Sequence, residues 1–202
     1  MIVEKQYTPN TTSEECLRTV REEGAILLRN FINNEEQGEI VHEVLAHELT
    51  PVDRSNHTIP EQFEDIGWQF RQSPPHVFAL GRRVCSLVRP ELSPWFVNHV
   101  RAQLYQPGEV GIDWHRDYKR DLRMVAVASF MGAAQFDIQL DSEEVSWELS
   151  PGDLVLMRGS LLNGLQDDRP KHRVSAPATG KRLSVAFRQV SEEIPDLEPN
   201  HE

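Results

Sequence analysis

Cysteine is nearly missing from this 202-residue chain: Cys16 and Cys85 are the only two, far apart and in no Cys-x-x-Cys pair. That leaves no disulfide framework and no thiolate metal knuckle. The expectation is a cytoplasmic protein with free, buried thiols, neither of which looks like a nucleophile. Long apolar runs are absent too. None approaches the roughly 18–20 residues that span a bilayer, so no membrane partner is expected. The opening Met1-Ile2-Val3-Glu4-Lys5-Gln6-Tyr7 lacks the basic and apolar regions of a secretion signal. Positive charge is scarce, with 21 basic against 32 acidic residues and a net charge of -11. Such a field repels phosphate backbones and disfavours nucleic acid as a partner. One local exception is Arg116, Lys119, Arg120 and Arg123, read either as solvated loop charges or as contacts to an anionic ligand. Internal repeats and low-complexity tracts are also lacking.

The length is enough for one domain with a full core, burying about 70% of the unfolded surface. Residues 1–190 read as that domain, and residues 191–202 as an acidic, frayed tail. Thr12 followed by Glu14 and Glu15 predicts a helix start, with a stop near Gly24. Ala25 to Arg29 reads as a buried strand, and Asn33 or Asn34 caps a second helix carrying Ile40, Val41, Val44 and Leu45. From Thr50 to Pro75 the chain is polar, aromatic and proline-containing, which predicts a loop region or lid. A third helix is expected from His76 to Val88, ended by Arg89-Pro90. Beyond it, strands are predicted at 98–105, 124–131, 135–140, 145–149, 153–157, 172–176 and 181–189. Turn-like separators lie between several of them: Gln106-Pro107-Gly108, Asp141-Ser142, Ser150-Pro151-Gly152 and Ala178-Thr179-Gly180. The class is α+β: a double-sheet β-sandwich of the jelly-roll or cupin-like kind, buttressed by N-terminal helices.

Chemistry concentrates in the second half. In an extended strand residues i and i+2 share a face, so His115 and Asp117 would reach one ion together while Arg116 points away. Of eight histidines only His115, His172 and His201 lie beyond residue 100, and His201 sits in the tail. Two imidazoles and one carboxylate leave open positions on a divalent metal, the arrangement of non-haem iron oxygenases. Arg182 and Ser184 also share a strand face, and Arg188 falls on it at even spacing. Two inward arginines among Leu183, Val185 and Phe187 would be costly without an anion, and a dicarboxylate would satisfy them.

His115-x-Asp117, His172, Arg182-x-Ser184 and the closing Ser184-Val185-Ala186-Phe187-Arg188-Gln189 resemble the Fe(II)/2-oxoglutarate-dependent dioxygenases, and within them the AlkB-like branch. Leu104-Tyr105-Gln106-Pro107-Gly108 resembles the branch's Asn-x-Tyr-x-x-Gly segment, with Gln103 where asparagine is usual. Ser150-Pro151-Gly152-Asp153 resembles the turn before the distal histidine. The resemblance implies a double-stranded β-helix fold and an iron triad of His115, Asp117 and His172. It also implies a 2-oxoglutarate site of Arg182, Ser184, Arg188, Tyr105 and Gln103, with O2 as co-reactant. Two departures stand out. Lys119 occupies the place of the branch's second acidic residue, and Asn163-Gly164 falls near the place of its distal His-Gly, while the ten-residue step to Arg182 favours His172.

The expected function is oxidation of a C–H bond of a small molecule by hydroxylation, with release of succinate and CO2. The alternatives are AlkB-like oxidative demethylation of alkylated nucleic acid or protein, desaturation, and a non-catalytic cupin-like binding module. Candidate substrate contacts are Trp68, Arg71, Tyr118 and Lys119, while Trp114 is divided between core packing and substrate contact.

Overall fold

The computed structural model describes residues 4–8, 11–53, 62–88, 92, 95–108, 111–164 and 167–192. The strands in chain order are β1 (Glu4–Gln6), β2 (Ala25–Arg29), β3 (Thr50–Asp53), β4 (Gln62–Gln69), β5 (His99–Tyr105) and β6 (Ile112–His115), then β7 (Asp121–Met131), β8 (Ala134–Gln139), β9 (Glu144–Leu149), β10 (Leu154–Arg158), β11 (His172–Val174) and β12 (Arg182–Val190). The helices are α1 (Ser13–Glu23), α2 (Asn34–Leu45) and α3 (Pro75–Val88). Local signals set their ends. Thr12 accepts a hydrogen bond from the Glu15 N–H, and Gly24 closes α1 in the left-handed region at φ 103°. Asn33 and Glu36 form a reciprocal capping box at the start of α2.

An eight-stranded sheet, ordered β1-β2-β10-β7-β12-β5-β4-β3, faces a four-stranded sheet, ordered β6-β11-β8-β9. The large sheet is buried on both sides, which is why β10 reads Leu-Val-Leu-Met without polar alternation. Its Leu154 and Leu156 join Ile26 and Leu28 in a cluster with Leu17, Val44 and Val84 of the three helices. Val155 and Met157 turn the other way and meet Phe136, Ile138 and Trp147 of the small sheet. The small sheet has only one buried face, and in β9 only Trp147 and Leu149 are buried. No helix among the described residues is long and apolar enough to cross a membrane.

The stretch from Thr50 to Pro75 departs from the predicted loop or lid. It contains β3 and β4, paired antiparallel from Thr50↔Asp65 to Asp53↔Gln62. β4 continues onto β5 from Glu64↔Leu104 to Gln69↔His99. Edge strands tolerate proline and charge, so Pro51 and the polar character of the segment misdirect a reading by composition. Residues 54–61 between them, the helix end at Arg89-Pro90 and the tail from 193 lie outside the described residues.

Candidate metal centre

The two sheets bring the second-half motifs into one pocket between them. In the small sheet His172 sits directly opposite His115 across the β11–β6 pairing. Their rings lie 4.3 Å apart between centroids. Gly111, just before β6, makes this approach possible, because a Cβ there would collide with the Val174 carbonyl oxygen of β11. Asp117 completes the group: one ligand atom from each of His115, Asp117 and His172 lies within 4.8 Å of the others. His115 Nδ1 donates to the Asp113 carbonyl at 2.7 Å, and His172 Nδ1 to the Pro170 carbonyl at 3.3 Å. Each contact holds the ring proton on Nδ1 and leaves Nε2 as the lone pair facing the centre.

Asp117 arrives there by a route different from the expected pleat. β6 ends at His115, so Asp117 lies in the loop beyond the strand. Arg169 holds it: this buried guanidinium donates Nη1 to the Asp117 carbonyl, while Nε and Nη2 both bond Asp167 at 2.7 Å. Arg116, expected to point away, lines the pocket and donates Nε to the Arg169 carbonyl at 2.9 Å. The loop carrying Asp117 and the loop leading to His172 are thereby stitched together. Arg188 adds a second contact, Nη2 to Asp117 Oδ1 at 3.2 Å. Burial alone would raise the Asp117 carboxyl, but Arg188, the two histidines and Arg169 hold it below the usual carboxylate range. Burial pushes His172 down, toward the neutral form that ligation requires.

The large sheet supplies the opposite wall. Along β12 and β5 the register places Arg182 against Tyr105, Ser184 against Gln103 and Arg188 against His99. Arg182, Ser184, Gln103, Tyr105 and Arg188 all line the pocket, with Phe63, Ile112, Val127 and Phe136 as its apolar parts. Arg182 is buried, donates Nη2 to Ser129 Oγ at 3.3 Å and lies 5.3 Å over the Tyr105 ring. Its Nε has no hydrogen-bond partner, and no carboxylate among the described residues is within ion-pair distance of it. Arg188 differs. It lies between Asp117 and Asp121, the latter 3.4 Å from its Nε, so protein carboxylates already meet its charge.

Of the four expected substrate contacts, Tyr118 lines the pocket. Trp68 does not: alternation on β4 turns it, with Ile66, onto the helix-side core, edge-on to His47. Arg71 is exposed on a 3-10 turn at Phe70–Gln72. Lys119 sits in a turn outside the pocket lining, its carbonyl accepting from Ser160. Trp114 lies under the Arg173 guanidinium at 5.0 Å, again away from the pocket. Asn163 bonds Asp168 and the Arg21 carbonyl and contributes nothing to the metal group. Reading the sequence missed Arg169, Asp121 and Phe136, which stacks on His172 at 5.5 Å.

No protein-family profile matches the chain, and no curated protein matches it by sequence. Solved structures do. A prolyl-4-hydroxylase from Pseudomonas putida aligns over 89% of this chain and 99% of its own, at 16% identity and a TM-score of 0.67. A prolyl hydroxylase of Trichoplax adhaerens, in complex with a hypoxia inducible factor peptide, covers 90% of each chain at 13% identity and 0.68. The epimerase SnoN, in complex with Fe3+, alpha ketoglutarate and nogalamycin RO, covers 89% of this chain and 83% of its own at 13% identity and 0.69. The chain has the 2-oxoglutarate oxygenase fold. Two sheets and three outer helices match its double-stranded β-helix, which here is a sandwich rather than a closed barrel.

Proposed function

We propose that the protein is an Fe(II)- and 2-oxoglutarate-dependent dioxygenase that oxidises a C–H bond of a small-molecule substrate. The observation that carries this reading is Arg182: a buried guanidinium without a carboxylate partner, in the same pocket as two histidines and an aspartate arranged for one ion. The donor set fits Fe(II), with Nε2 of His115, Nε2 of His172 and the Asp117 carboxylate as ligands on one side and the rest of the coordination sphere open. Arg182, Ser184 and Tyr105 would hold the distal carboxylate of 2-oxoglutarate by charge-assisted hydrogen bonds. When bound, iron and 2-oxoglutarate supply the activation of O2, with succinate and CO2 released and the substrate C–H oxidised. Arg188 keeps Asp117 ionised and aimed, and the wall of Phe63, Ile112, Val127 and Phe136 limits water near the centre.

The motif resemblance also supports an AlkB-like reading, in which the oxidised carbon is an N-methyl group and formaldehyde leaves. The net charge of -11 weighs against a nucleic-acid substrate. The test is anaerobic addition of Fe(II) and 2-oxoglutarate. The visible charge-transfer band of the chelate is expected in the wild type and lost in His172→Ala. A wild type without the band overturns the assignment and leaves the cupin-like binding module. Formaldehyde release from methylated DNA would replace the small-molecule reading with the AlkB-like one.

A further inference from the structure

A buried arginine outside the pocket reaches the metal ligands through a loop. Arg158 ends β10, between β2 and β7 in the large sheet, and its side chain is only 1% exposed. It stands outside the pocket lining. Nη1 and Nη2 grip Asp141, in the turn between β8 and β9, at 2.9 and 2.6 Å. Nη1 also donates to the Arg21 carbonyl at 2.9 Å, in the last turn of α1, where a helix leaves its carbonyls unpaired. These partners account for the burial of the charge. The remaining bond runs toward the metal: Nε donates to the Asp168 carbonyl at 2.8 Å, with the Asp168 carboxylate 3.3 Å away.

Residues 167–171 form neither helix nor strand, yet they lead straight into His172. Four consecutive carbonyls of this run are each held by a donor. Asp168 is held by Arg158, Arg169 by Arg116 Nε at 2.9 Å, Pro170 by His172 Nδ1 at 3.3 Å and Lys171 by the Gln139 N–H at 2.9 Å. The last three donors belong to the small sheet or to the loop after β6, the side that carries the metal ligands. Arg158 is the one that comes from the large sheet, where Arg182 and Ser184 stand. The same run carries Arg169, whose guanidinium holds the Asp117 carbonyl. Asn163 adds a second tie, donating Nδ2 to the Arg21 carbonyl at 3.0 Å and to Asp168 Oδ2 at 2.9 Å. Releasing Asp168 would loosen both the Arg169 grip and the Pro170 carbonyl that orients His172.

We infer that Arg158 is a positioning residue of the metal centre: from the large sheet it fixes the loop that sets the orientation of His172 and the place of Asp117. The ligands of the small sheet are thereby kept in register with the arginine of the large sheet that faces them. This rests on the reading of His115, Asp117 and His172 as one metal site.

The experiment makes the same substitution at two arginines that tie the sheets together, in the full chain with metal alone as the probe. Arg29 is the matched case: it bonds Asp153, just before β10, at 2.6 Å and the Glu148 carbonyl of β9 at 2.7 Å, and neither partner leads to a ligand. Lysine keeps the charge at either site but has no planar fork to hold several partners at once. Arg158→Lys should weaken Mn(II) binding by about 10–100-fold, the usual effect of losing an outer-shell partner, and should shift the visible d–d bands of bound Co(II). Arg29→Lys should lower the denaturation midpoint while leaving both metal readouts at wild-type values. Should Arg158→Lys fail to fold, Asn163→Ala, at an exposed residue, tests the same loop. It should weaken Mn(II) about five-fold, the worth of one hydrogen bond. Wild-type Mn(II) affinity and Co(II) bands in folded Arg158→Lys, or in Asn163→Ala where Arg158→Lys does not fold, would overturn the inference. An equal loss in Arg29→Lys would overturn it too, by making the effect one of general loosening. If the wild type binds neither metal, the metal-site reading fails and takes this inference with it.

Discussion

Arg182 and Arg188 lie six residues apart on one strand and line one pocket, yet its two ends treat them in opposite ways. At the inner end Arg182 is fully buried, with Ser129 and Tyr105 as partners and no carboxylate. At the outer end Arg188 is clamped between Asp117 and Asp121. An isolated buried charge costs several kcal/mol, whereas a paired one is compensated by its partners. The inner arginine is therefore unfinished until a ligand arrives, and the outer one already has its charge met by protein carboxylates. Burial lowers the Arg182 pKa, while the pull of Asp121 and Asp117 outweighs burial at Arg188 and raises it.

Replacing each arginine with methionine breaks the comparison most sharply. Arg188→Met leaves two buried carboxylates without their cation, so the metal-free protein should lose about 3–5 kcal/mol in chemical denaturation. Added Mn(II) should restore part of that through Asp117. Arg182→Met removes a charge that has no carboxylate partner, so the metal-free protein should hold or gain stability, by up to about 2 kcal/mol. Its 2-oxoglutarate affinity should fall at least ~30-fold, because truncating one partner of a buried charge pair costs about 2 kcal/mol or more. Equal destabilisation by the two substitutions would erase the proposed difference between the ends.

Arg169 belongs to the outer, protein-built side of the contrast. Its roles are to position Asp117 through the backbone carbonyl and to keep the two ligand loops together. Arg169→Gln should weaken Mn(II) binding by about 10–100-fold, the usual effect of removing an outer-shell partner. At saturating metal, 2-oxoglutarate affinity should change little, since Arg182 lies elsewhere in the pocket. Arg169→Lys keeps the charge but not the two-pronged grip on Asp167, so it should rescue only partly. A parallel loss of both affinities would assign Arg169 to general folding rather than to the ligand loop.

What the sequence makes legible follows from the range of the interactions. Helix ends are local: Thr12, Gly24 and the Asn33–Glu36 box lie within a turn of what they terminate. The face shared by Arg182, Ser184 and Arg188 is legible because a strand has a period of two. The same rule places Asp117 beside His115 but gives the wrong cause, since the strand stops and a guanidinium 52 positions away takes over. Trp68 is placed wrongly because composition shows an aromatic residue in a polar stretch, whereas the face it takes depends on which register β4 adopts against β5. Asp121 was invisible for a similar reason. Nothing near it in the chain announces an arginine from β12.

The smallest effect expected is also the one that separates the outer groups from one another. His99 is lowered to about 4, so between that value and its ordinary 6.5 the unfolded chain binds the proton and the folded chain does not. Stability from this group falls as pH drops through that window. Asp121 is raised from 3.8 to about 6, chiefly by burial against the pull of Arg188, so the folded chain binds the extra proton. Its contribution is full below about 3.8 and is lost as pH rises through 6. The two slopes oppose each other over nearly the same range. His99→Gln should remove one and leave stability declining as pH rises from 4 to 6, relative to wild type. Asp121→Asn should remove the other and steepen the loss on acidification. Denaturant midpoints at pH 4.5, 5.5 and 6.5 measure both. If the two variants shift the profile in the same direction, the opposed displacement of the His99 imidazole and the Asp121 carboxyl is wrong.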